Sequence, residues 1–498
     1  MRPALSRNVA ASVVNAAAVA ATSLVSVPLI LDAVGTAGYG VWTLGLALIL
    51  YASILETGLG PAVQRFTAFA RGGGDDEALS RLGWTTLALY AAAGVVLGGA
   101  LAALAPLLVD LFDLPRRLQP DAETMFRVLG GALALALLAA GMGNLLQGLE
   151  RFGTLAGSAA AGALAFLAAV AVLAERSGLP GVAVASVVGQ GVTGLVRAAA
   201  LRRAAFAGRP RLLSGGEGRR MVGFSARLQV TVLSELVNWQ SDKLVVGLVA
   251  RPATVGQLGI GAQFADGGRL LAGAALSPIQ SAFALAAGAG DDAGLRRRFA
   301  ELHRLWVLGV LGAGVIGAAS LLPLIEAWLG PGYREAALLG AVLVLGSAAG
   351  LSTGTGIAYL RAIGRPGLEA RMGPLIVAVN LALTVPLALA AGARGVVIGT
   401  LGAYALGAAW FFSRLHRHVP ASPVRSAADG AGALAAALVA GAASLAFGLG
   451  AVALLPGRAA LPAVAVGVAL ALLGYAAALL RAAPTPAGLR RAIAASGA

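Results

Sequence analysis

Apolar runs of about 20 residues follow one another along almost the whole chain and constrain its fold more than any other feature. A helix that crosses a lipid bilayer needs about 20 mostly apolar residues. About fourteen such runs are present, at residues 9–31, 39–69, 82–108, 128–149, 154–174, 180–200, 222–249, 256–283, 305–328, 336–360, 373–391, 394–413, 429–454 and 462–480. They predict an all-α polytopic membrane protein with about 14 transmembrane helices.

The composition agrees with a membrane location, because 58% of the 498 residues are hydrophobic and only 12% are charged. A soluble domain has about 25% charged residues. The net charge of +15 does not indicate nucleic acid as a partner, since the basic residues lie in short gaps between apolar runs and no nucleic-acid-binding motif accompanies them. The lipid bilayer is therefore the expected partner of the apolar surface.

The distribution of arginines predicts how the chain crosses the membrane. If the N-terminus, with Arg2 and Arg7, lies in the cytoplasm, most of the 37 basic residues fall on that side. The positive-inside rule then predicts a multi-pass protein of the bacterial cytoplasmic (inner) membrane with both termini in the cytoplasm. The gaps on the other side are too short to form a separate domain.

An internal repeat divides the chain near its middle. Similar short patterns recur in the same order at an offset of about 220, residues 34–40 with 255–261, 60–61 with 277–278 and 74–76 with 290–292. Repeated halves are a common architecture of transporters. The predicted parts are an N-terminal lobe with helices 1–6 (1–200), a cytoplasmic linker (201–221), a C-terminal lobe with helices 7–12 (222–418) and accessory helices 13–14 (429–481).

Several motifs carry a family resemblance. They are Val-Pro-Leu-Ile-Leu at 27–31, Gly-Tyr-Gly-Val-Trp at 38–42, Leu-Glu-Thr-Gly-Leu-Gly-Pro-Ala at 55–62, Asp-Lys at 242–243, Trp-Leu-Gly-Pro-Gly-Tyr at 328–333 and Ala-Tyr-Leu-Arg-Ala-Ile-Gly at 358–364. Together they resemble the Wzx-type O-antigen and capsule polysaccharide flippases of the multidrug/oligosaccharidyl-lipid/polysaccharide exporter superfamily.

The resemblance implies both a fold and a function. The implied fold has two six-helix lobes around a central cavity, followed by two C-terminal helices. The implied function is secondary-active export of an undecaprenyl-pyrophosphate-linked oligosaccharide across the cytoplasmic membrane, for the synthesis of surface polysaccharide such as lipopolysaccharide. The implied partners are this lipid-linked oligosaccharide and the polymerase and glycosyltransferases of the pathway.

Polar residues within the apolar runs predict a wet cavity, because charges at bilayer depth are costly unless they face protein or water. The seventh run carries them at steps of three and four, on one helix face: Arg227, Thr231, Ser234, Glu235, Asn238 and Asp242. The first run has a milder stripe that includes Asn15. We expect Asn15 and Asn238 to line the cavity, although hydrogen bonding between helices explains the same pattern.

Four acids are candidates for binding the coupling proton or sodium ion: Glu56, Glu235, Asp242 and Asp266. Burial of a carboxylate raises its proton affinity, which suits a group that loads and releases a proton.

Three cations are candidates for binding the substrate pyrophosphate, since arginine and lysine are the usual partners of phosphate oxygens: Arg65, Lys243 and Arg269. Each also has a purely structural interpretation. Arg65 fits an anchor at the membrane surface, Lys243 a partner of Asp242, and Arg269 an i,i+3 ion pair with Asp266.

The sequence has no feature of an enzyme, a metal site or a cofactor site. It contains no cysteine, three histidines and no phosphate-binding Gly-Lys-Ser/Thr loop. The alternatives that the sequence leaves open are a cation-coupled multidrug exporter and a peptidoglycan-precursor flippase of the same superfamily. A membrane-embedded polymerase or glycosyltransferase is disfavoured, because the outer gaps are too short for a catalytic loop.

Overall fold

The computed structural model describes residues 2–52, 54–202, 211–214, 216, 241–288, 290, 292–365, 367–415 and 423–482. Within these residues the chain is helical and has no strand. The helices are α1 (Arg2–Ala52), α2 (Ile54–Gly72), α3 (Asp76–Ala103), α4 (Ala105–Leu111), α5 (Gln119–Gly148), α6 (Phe152–Leu201), α7 (241–249), α8 (Pro252–Gly288), α9 (Asp292–Leu329), α10 (Arg334–Leu351), α11 (Gly354–Ala362), α12 (Gly367–Leu415), α13 (Pro423–Leu454) and α14 (Leu461–Ala482).

Three of these helices are too long for one crossing of a bilayer. They contain 51, 50 and 49 residues, which at about 1.5 Å per residue is roughly 75 Å, against a hydrocarbon core of about 30 Å. Each contains one glycine with non-helical backbone angles, namely Gly35 in α1, Gly178 in α6 and Gly392 in α12. These glycines lie between runs that the sequence predicts as separate membrane helices.

The two segments of α6 form an antiparallel hairpin that turns at Gly178. This glycine has a φ of 56°, in the region that only glycine enters at no steric cost. Beyond the turn, Gly181 lies so close to the carbonyl of Leu173 that a methyl group would overlap it. Further along, the hydroxyl of Thr193 fills the space beside Gly162. The hairpin therefore closes by contact between small residues.

The two segments of α12 form the same hairpin 214 residues later. Gly392 repeats the angles of Gly178, with φ and ψ of 57° and −136° against 56° and −134°. A methyl group at Gly395 would overlap the carbonyl of Leu387, as one at Gly181 would overlap that of Leu173. The internal repeat therefore extends to backbone conformation.

At one contact between the two segments, the large and the small residue have exchanged places in the α12 hairpin. At the positions of Gly162 and Thr193 in α6, the second hairpin has Ile376 and Gly407, which are in direct contact. The larger residue is Thr193, on the second helical segment, in the first hairpin, and Ile376, on the first helical segment, in the second hairpin. Each pair fills its space, but with the bulk on opposite partners.

At the start of the repeat, the structure pairs residues of the two halves differently from the sequence comparison. Gly40 lies against the carbonyl of Pro252, and Gly256 lies reciprocally against the carbonyl of Thr36. The equivalent residues here are 216 apart, the offset that also relates residues 74–76 to 290–292. The predicted pairing of 34–40 with 255–261 is thus displaced by five residues, because glycine spacing alone does not define a register.

The chain forms two compact units, Met1–Gly256 and Gln257–Ala498. In the second unit, α13 and α14 pack on α9, where the hydroxyl of Tyr475 donates to the carbonyl of Leu308 at 2.8 Å. Ser320 and Ser444 are 2.8 Å apart between α9 and α13. The predicted linker 201–221 lies largely outside the described residues, so the predicted domain division stays a prediction.

Long apolar helices make this a multi-pass membrane protein. Nine helices within the described residues are long and apolar enough to cross a membrane. Two of the nine are the hairpins α6 and α12, which each provide two crossings. The all-α membrane fold is confirmed, whereas the predicted count of 14 helices is not.

The hairpin contacts predict a steric effect of the smallest substitution. Gly395→Ala and Gly181→Ala each place a methyl group against a backbone carbonyl, and we expect each to cost about 1–3 kcal/mol. Tryptophan fluorescence during heating of the purified chain measures the loss as a lower midpoint of unfolding. Gly191→Ala is the matched control, since nothing lies within 4 Å of its added methyl group. Equal midpoints for Gly395→Ala and Gly191→Ala would contradict the proposed packing.

Candidate functional site

In the second unit, α8 and α10 run parallel and in close contact. The backbones meet at two glycines, where a methyl group on Gly340 would lie 2.8 Å from the Cα atom of Gly261. One turn earlier, the side-chain oxygen of Gln257 accepts a hydrogen bond from the backbone N–H of Ala336 at 3.0 Å. Because the paired residues advance together along both helices, side chains about two turns beyond the glycines also meet.

At that level Arg269 connects the two helices. Its guanidinium pairs with Asp266, one turn earlier in α8, and its Nη1 donates to Ser347 Oγ in α10 at 2.7 Å. The side chain of Arg269 is 17% exposed, while that of Asp266 is 43% exposed. A mostly buried cation is thus held between a carboxylate of α8 and a hydroxyl of α10. In this arrangement, an incoming anion can replace the Asp266 carboxylate at the guanidinium with little movement of Arg269.

The packing of α8 on α10 does not itself require Arg269. In the first unit, Gly45 packs in the equivalent way on Met125 and Leu129 of α5. There the position of Ser347 is taken by Leu133, which is fully buried, and the position of Arg269 corresponds to a serine in the sequence. The same helix contact therefore forms without the cation, which favours a functional role for it.

In the first unit, Asp242 is the buried acid of α7, with 6% exposure. Its carboxylate lies close enough to the phenol of Tyr51 to act on it electrostatically. This electrostatic interaction follows from the packing of α7 on α1, where Gly247 lies against Leu44. The neighbouring Lys243 is half-buried. A carboxylate beside a phenol can hold a proton or a small cation.

A second polar group lies within the first unit and connects three helices. Gln64 of α2 donates to the side-chain oxygen of Asn144 in α5 at 2.9 Å, and the amide nitrogen of Asn144 donates to the hydroxyl of Tyr90 in α3 at 3.1 Å. Asn144 is buried, with Gly60 directly against it. The next residue after Gln64 is the exposed Arg65, so this chain of hydrogen bonds fixes the helix turn that carries Arg65.

Four of the predicted site residues have side chains outside the described part of the chain: Asn15, Glu56, Glu235 and Asn238. Their roles stay predictions. Of the other five, the structure pairs Asp266 with Arg269 and places Asp242 next to Lys243. Arg65 lies on a different helix of the first unit, next to Gln64.

Five residues of these clusters were not predicted: Ser347, Tyr51, Gln64, Tyr90 and Asn144. Ser347 and Tyr51 are uncharged, have apolar neighbours on both sides in the sequence and carry no periodic signal of their own. Asn144 could have been noticed as an amide within a run of leucine and glycine, because a polar group buried in the membrane needs a partner. Its partners, however, are set by packing between distant helices.

The fold has close counterparts among solved transporters. An inward-facing multidrug resistance MATE family transporter of the MOP superfamily matches with a TM-score of 0.67 and 14% identity, over 80% of this chain and 94% of that chain. A Vibrio cholerae MATE transporter matches with a TM-score of 0.61 and 14% identity, over 85% and 98%. The lipid II flippase MurJ, in an inward closed conformation, matches with a TM-score of 0.65 and 13% identity, over 94% and 99%.

These likenesses define the class, a multi-pass membrane protein with the fold of the MOP-superfamily transporters. The family model described as polysaccharide biosynthesis protein matches residues 5–278, more than half of the chain. The chain belongs to this family, which confirms the resemblance predicted from the motifs. No curated protein sequence matches it.

The Gln64–Asn144–Tyr90 chain predicts a measurable loss of stability. Asn144→Ala removes the acceptor of Gln64, and we expect it to lower the free energy of unfolding by about 1–3 kcal/mol. Because Tyr90 is in the same network, a Tyr90→Phe change should cost less in the Asn144→Ala background than alone. Thermal unfolding of the four proteins measures both effects. Thr124→Ala, an exposed hydroxyl bonded only within its helix, is the control; additive losses would argue against a network.

Proposed function

We propose that this protein is a secondary-active flippase that moves an undecaprenyl-pyrophosphate-linked oligosaccharide across the bacterial cytoplasmic membrane for surface polysaccharide synthesis. The observation that carries the proposal is Arg269, a mostly buried guanidinium where α8 meets α10 in a polysaccharide biosynthesis family protein. A pyrophosphate needs a cationic partner, and arginine binds its oxygens bidentately. Arg65 and Lys243 are further candidates for the same role.

In this proposal, Asp266 releases the bound substrate from Arg269. It already pairs with Arg269, so it competes with an incoming pyrophosphate for the same guanidinium. When substrate is bound, the displaced carboxylate lacks its cation and becomes available to the coupling proton or sodium ion. Return of the ion pair would expel the substrate. Asp242 is another candidate acid for binding the coupling proton or sodium ion. Glu56 and Glu235, whose side chains lie outside the described part of the chain, are the remaining candidates.

Two members of the same fold class remain as rival functions, the multidrug exporter and the peptidoglycan-precursor flippase. The lipid II flippase matches a larger share of this chain than the two MATE transporters do, 94% against 80% and 85%. The accessory helices α13 and α14 account for a comparable length at the C-terminal end. This difference favours a lipid-linked substrate over a small drug.

Complementation tests the substrate. Expressed in a strain that lacks its O-antigen flippase, the protein should restore surface polysaccharide, as measured on extracted cell-surface glycans. Two further strains test the rival functions with the same plasmid. One is depleted of its peptidoglycan-precursor flippase, and the other is sensitive to cationic drugs. The assignment would be overturned if the protein is present in the membrane of the O-antigen flippase mutant and surface polysaccharide is not restored. It would also be overturned if the protein rescues one of the two rival strains and not this mutant.

Charge reversal tests the cations. Arg269→Glu and Lys243→Glu should abolish export at normal membrane levels, because each replaces an attractive group with one that repels pyrophosphate. Arg127→Glu is the control, since Arg127, like Arg269, pairs with an acid one turn earlier on its own helix but is exposed. Ser347→Ala should reduce export about tenfold, because a hydrogen bond to a charged group contributes about 1.5–3 kcal/mol. Normal export by Arg269→Glu would remove Arg269 from the site.

Replacing the competing acid should separate binding from turnover. Asp266→Asn frees the Arg269 guanidinium from its ion pair, so we expect tighter binding of undecaprenyl pyrophosphate to the purified protein together with slower export. Asp121→Asn, outside these clusters, is the control. If affinity and export fall together, Asp266 binds or positions the substrate instead of competing with it.

A further inference from the structure

One end of the second unit carries four exposed arginines around a common apolar core. Arg296 and Arg297 follow Leu295 in the first turns of α9, Arg365 lies in the turn after α11, and Arg371 lies in the first turns of α12. We call these four the arginine face. None of the four side chains forms a hydrogen bond or ion pair with another residue in the part of the chain that the structure describes.

The four arginines belong together because their neighbours pack together. Leu295 and Phe299 of α9, Leu360 of α11 and Met372 of α12 are buried in one hydrophobic cluster. Phe299 and Tyr359 pack with ring centroids 4.4 Å apart. Arg296 and Arg371 are adjacent in sequence to core residues, and Arg297 and Arg365 lie two and five residues from them, so the four emerge around the same core.

The first unit has an arginine at one equivalent position, and there it is neutralised. Arg81 corresponds to Arg297 at the offset of 216, and Leu79 to the buried Leu295. Arg81 pairs at 3.1 Å with Glu77, one turn earlier on the same helix. The residue of the second unit that corresponds to Glu77 is an alanine, Ala293. The repeat has kept the arginine without its glutamate.

A second equivalent pair shows the same change. Arg151 and Arg365 are 214 apart, and each donates its backbone N–H to the residue five positions earlier at 2.8 Å. In the first unit, the side chain of Arg151 donates to the carbonyl of Ala200 at 3.0 Å, and the preceding residue is the acid Glu150. In the second unit, Gly364 precedes an arginine whose side chain is exposed.

The acids are replaced consistently along both segments. Residues 71–82 and 146–153 of the first unit contain three arginines and four acids, whereas the corresponding 287–298 and 360–367 contain five arginines and two aspartates. Orientation in the membrane does not explain this difference, because the positive-inside rule counts basic residues and gives acids little weight. Loss of acids next to retained arginines instead creates a surface that attracts anions.

We propose that the arginine face binds the headgroup phosphates of anionic phospholipids in the adjoining leaflet. The guanidiniums stand at the ends of membrane helices and spread around a core, which suits several headgroups better than one small molecule. A tryptophan marks the same end, since Trp410, on the segment of α12 that packs in this cluster, lies 5.6 Å beneath the guanidinium of Arg414. Tryptophan favours the boundary between membrane and water.

The test uses the full chain purified in detergent and titrated with dioleoyl phosphatidylglycerol, with bound lipid counted by native mass spectrometry. The double change Arg297→Ala and Arg365→Ala should weaken binding about 25-fold, or roughly fivefold for each arginine near a lipid surface. The double change Arg81→Ala and Arg151→Ala, at the matched positions of the first unit, should alter it less than twofold. Equal losses in both double variants, or no loss in either, would overturn the proposal.

A gain-of-acid variant keeps the test valid if loss of two arginines impairs folding. Ala293→Glu supplies the glutamate that the first unit has, retains all four arginines and should weaken binding about fivefold at low salt. Binding unchanged by Ala293→Glu would count against the arginine face. Titration with undecaprenyl pyrophosphate distinguishes the two sources of phosphate. If it displaces phosphatidylglycerol at an equimolar amount, the face captures the transport substrate and the assignment to bulk phospholipid is wrong.

Discussion

Inside a bilayer no water is present to hydrogen-bond the backbone, so each N–H and carbonyl needs a partner within the protein. This chain meets that requirement with helices and with very short reversals. At Gly178 and Gly392 it turns back almost within one residue, which leaves few backbone groups unpaired. Where helices do end, side chains of Arg71, Arg151 and Trp306 donate to the free carbonyls. Two arginines of the predicted cytoplasmic side, Arg71 and Arg151, thus also cap helices.

Much of the fold follows from hydropathy and glycine placement. The runs 154–174 and 180–200 were recognisable as separate crossings because Glu175, Arg176 and Gly178 interrupt the apolar sequence between them. The backbone nevertheless continues as one interrupted helix. The break between α10 and α11 was not predicted, since it falls inside an apolar run. There Ser352 and Thr353 bond to carbonyls of their own helix, which local hydrophobicity does not reveal.

The candidate site was predictable only where it is local in sequence. The spacing of Asp266 and Arg269 predicts their ion pair, because residues three apart face each other on a helix. Ser347 completes this cluster from 78 residues away, and its position depends on two glycines that bring α8 and α10 together. Tyr51 likewise comes within electrostatic range of Asp242 because α7 packs on α1. Contacts of this kind arise from tertiary structure and leave no periodic pattern in the sequence.

The reversed contact in the two hairpins restricts how the halves could have diverged. Gly162 with Thr193 and Ile376 with Gly407 are alternative solutions for one space. A single substitution cannot convert one into the other. The intermediate with both large residues would clash, whereas the intermediate with two glycines leaves only a small void. If both halves descend from one duplicated segment, their common ancestor or an early descendant passed through the glycine–glycine state, and the two hairpins have not been interchangeable since.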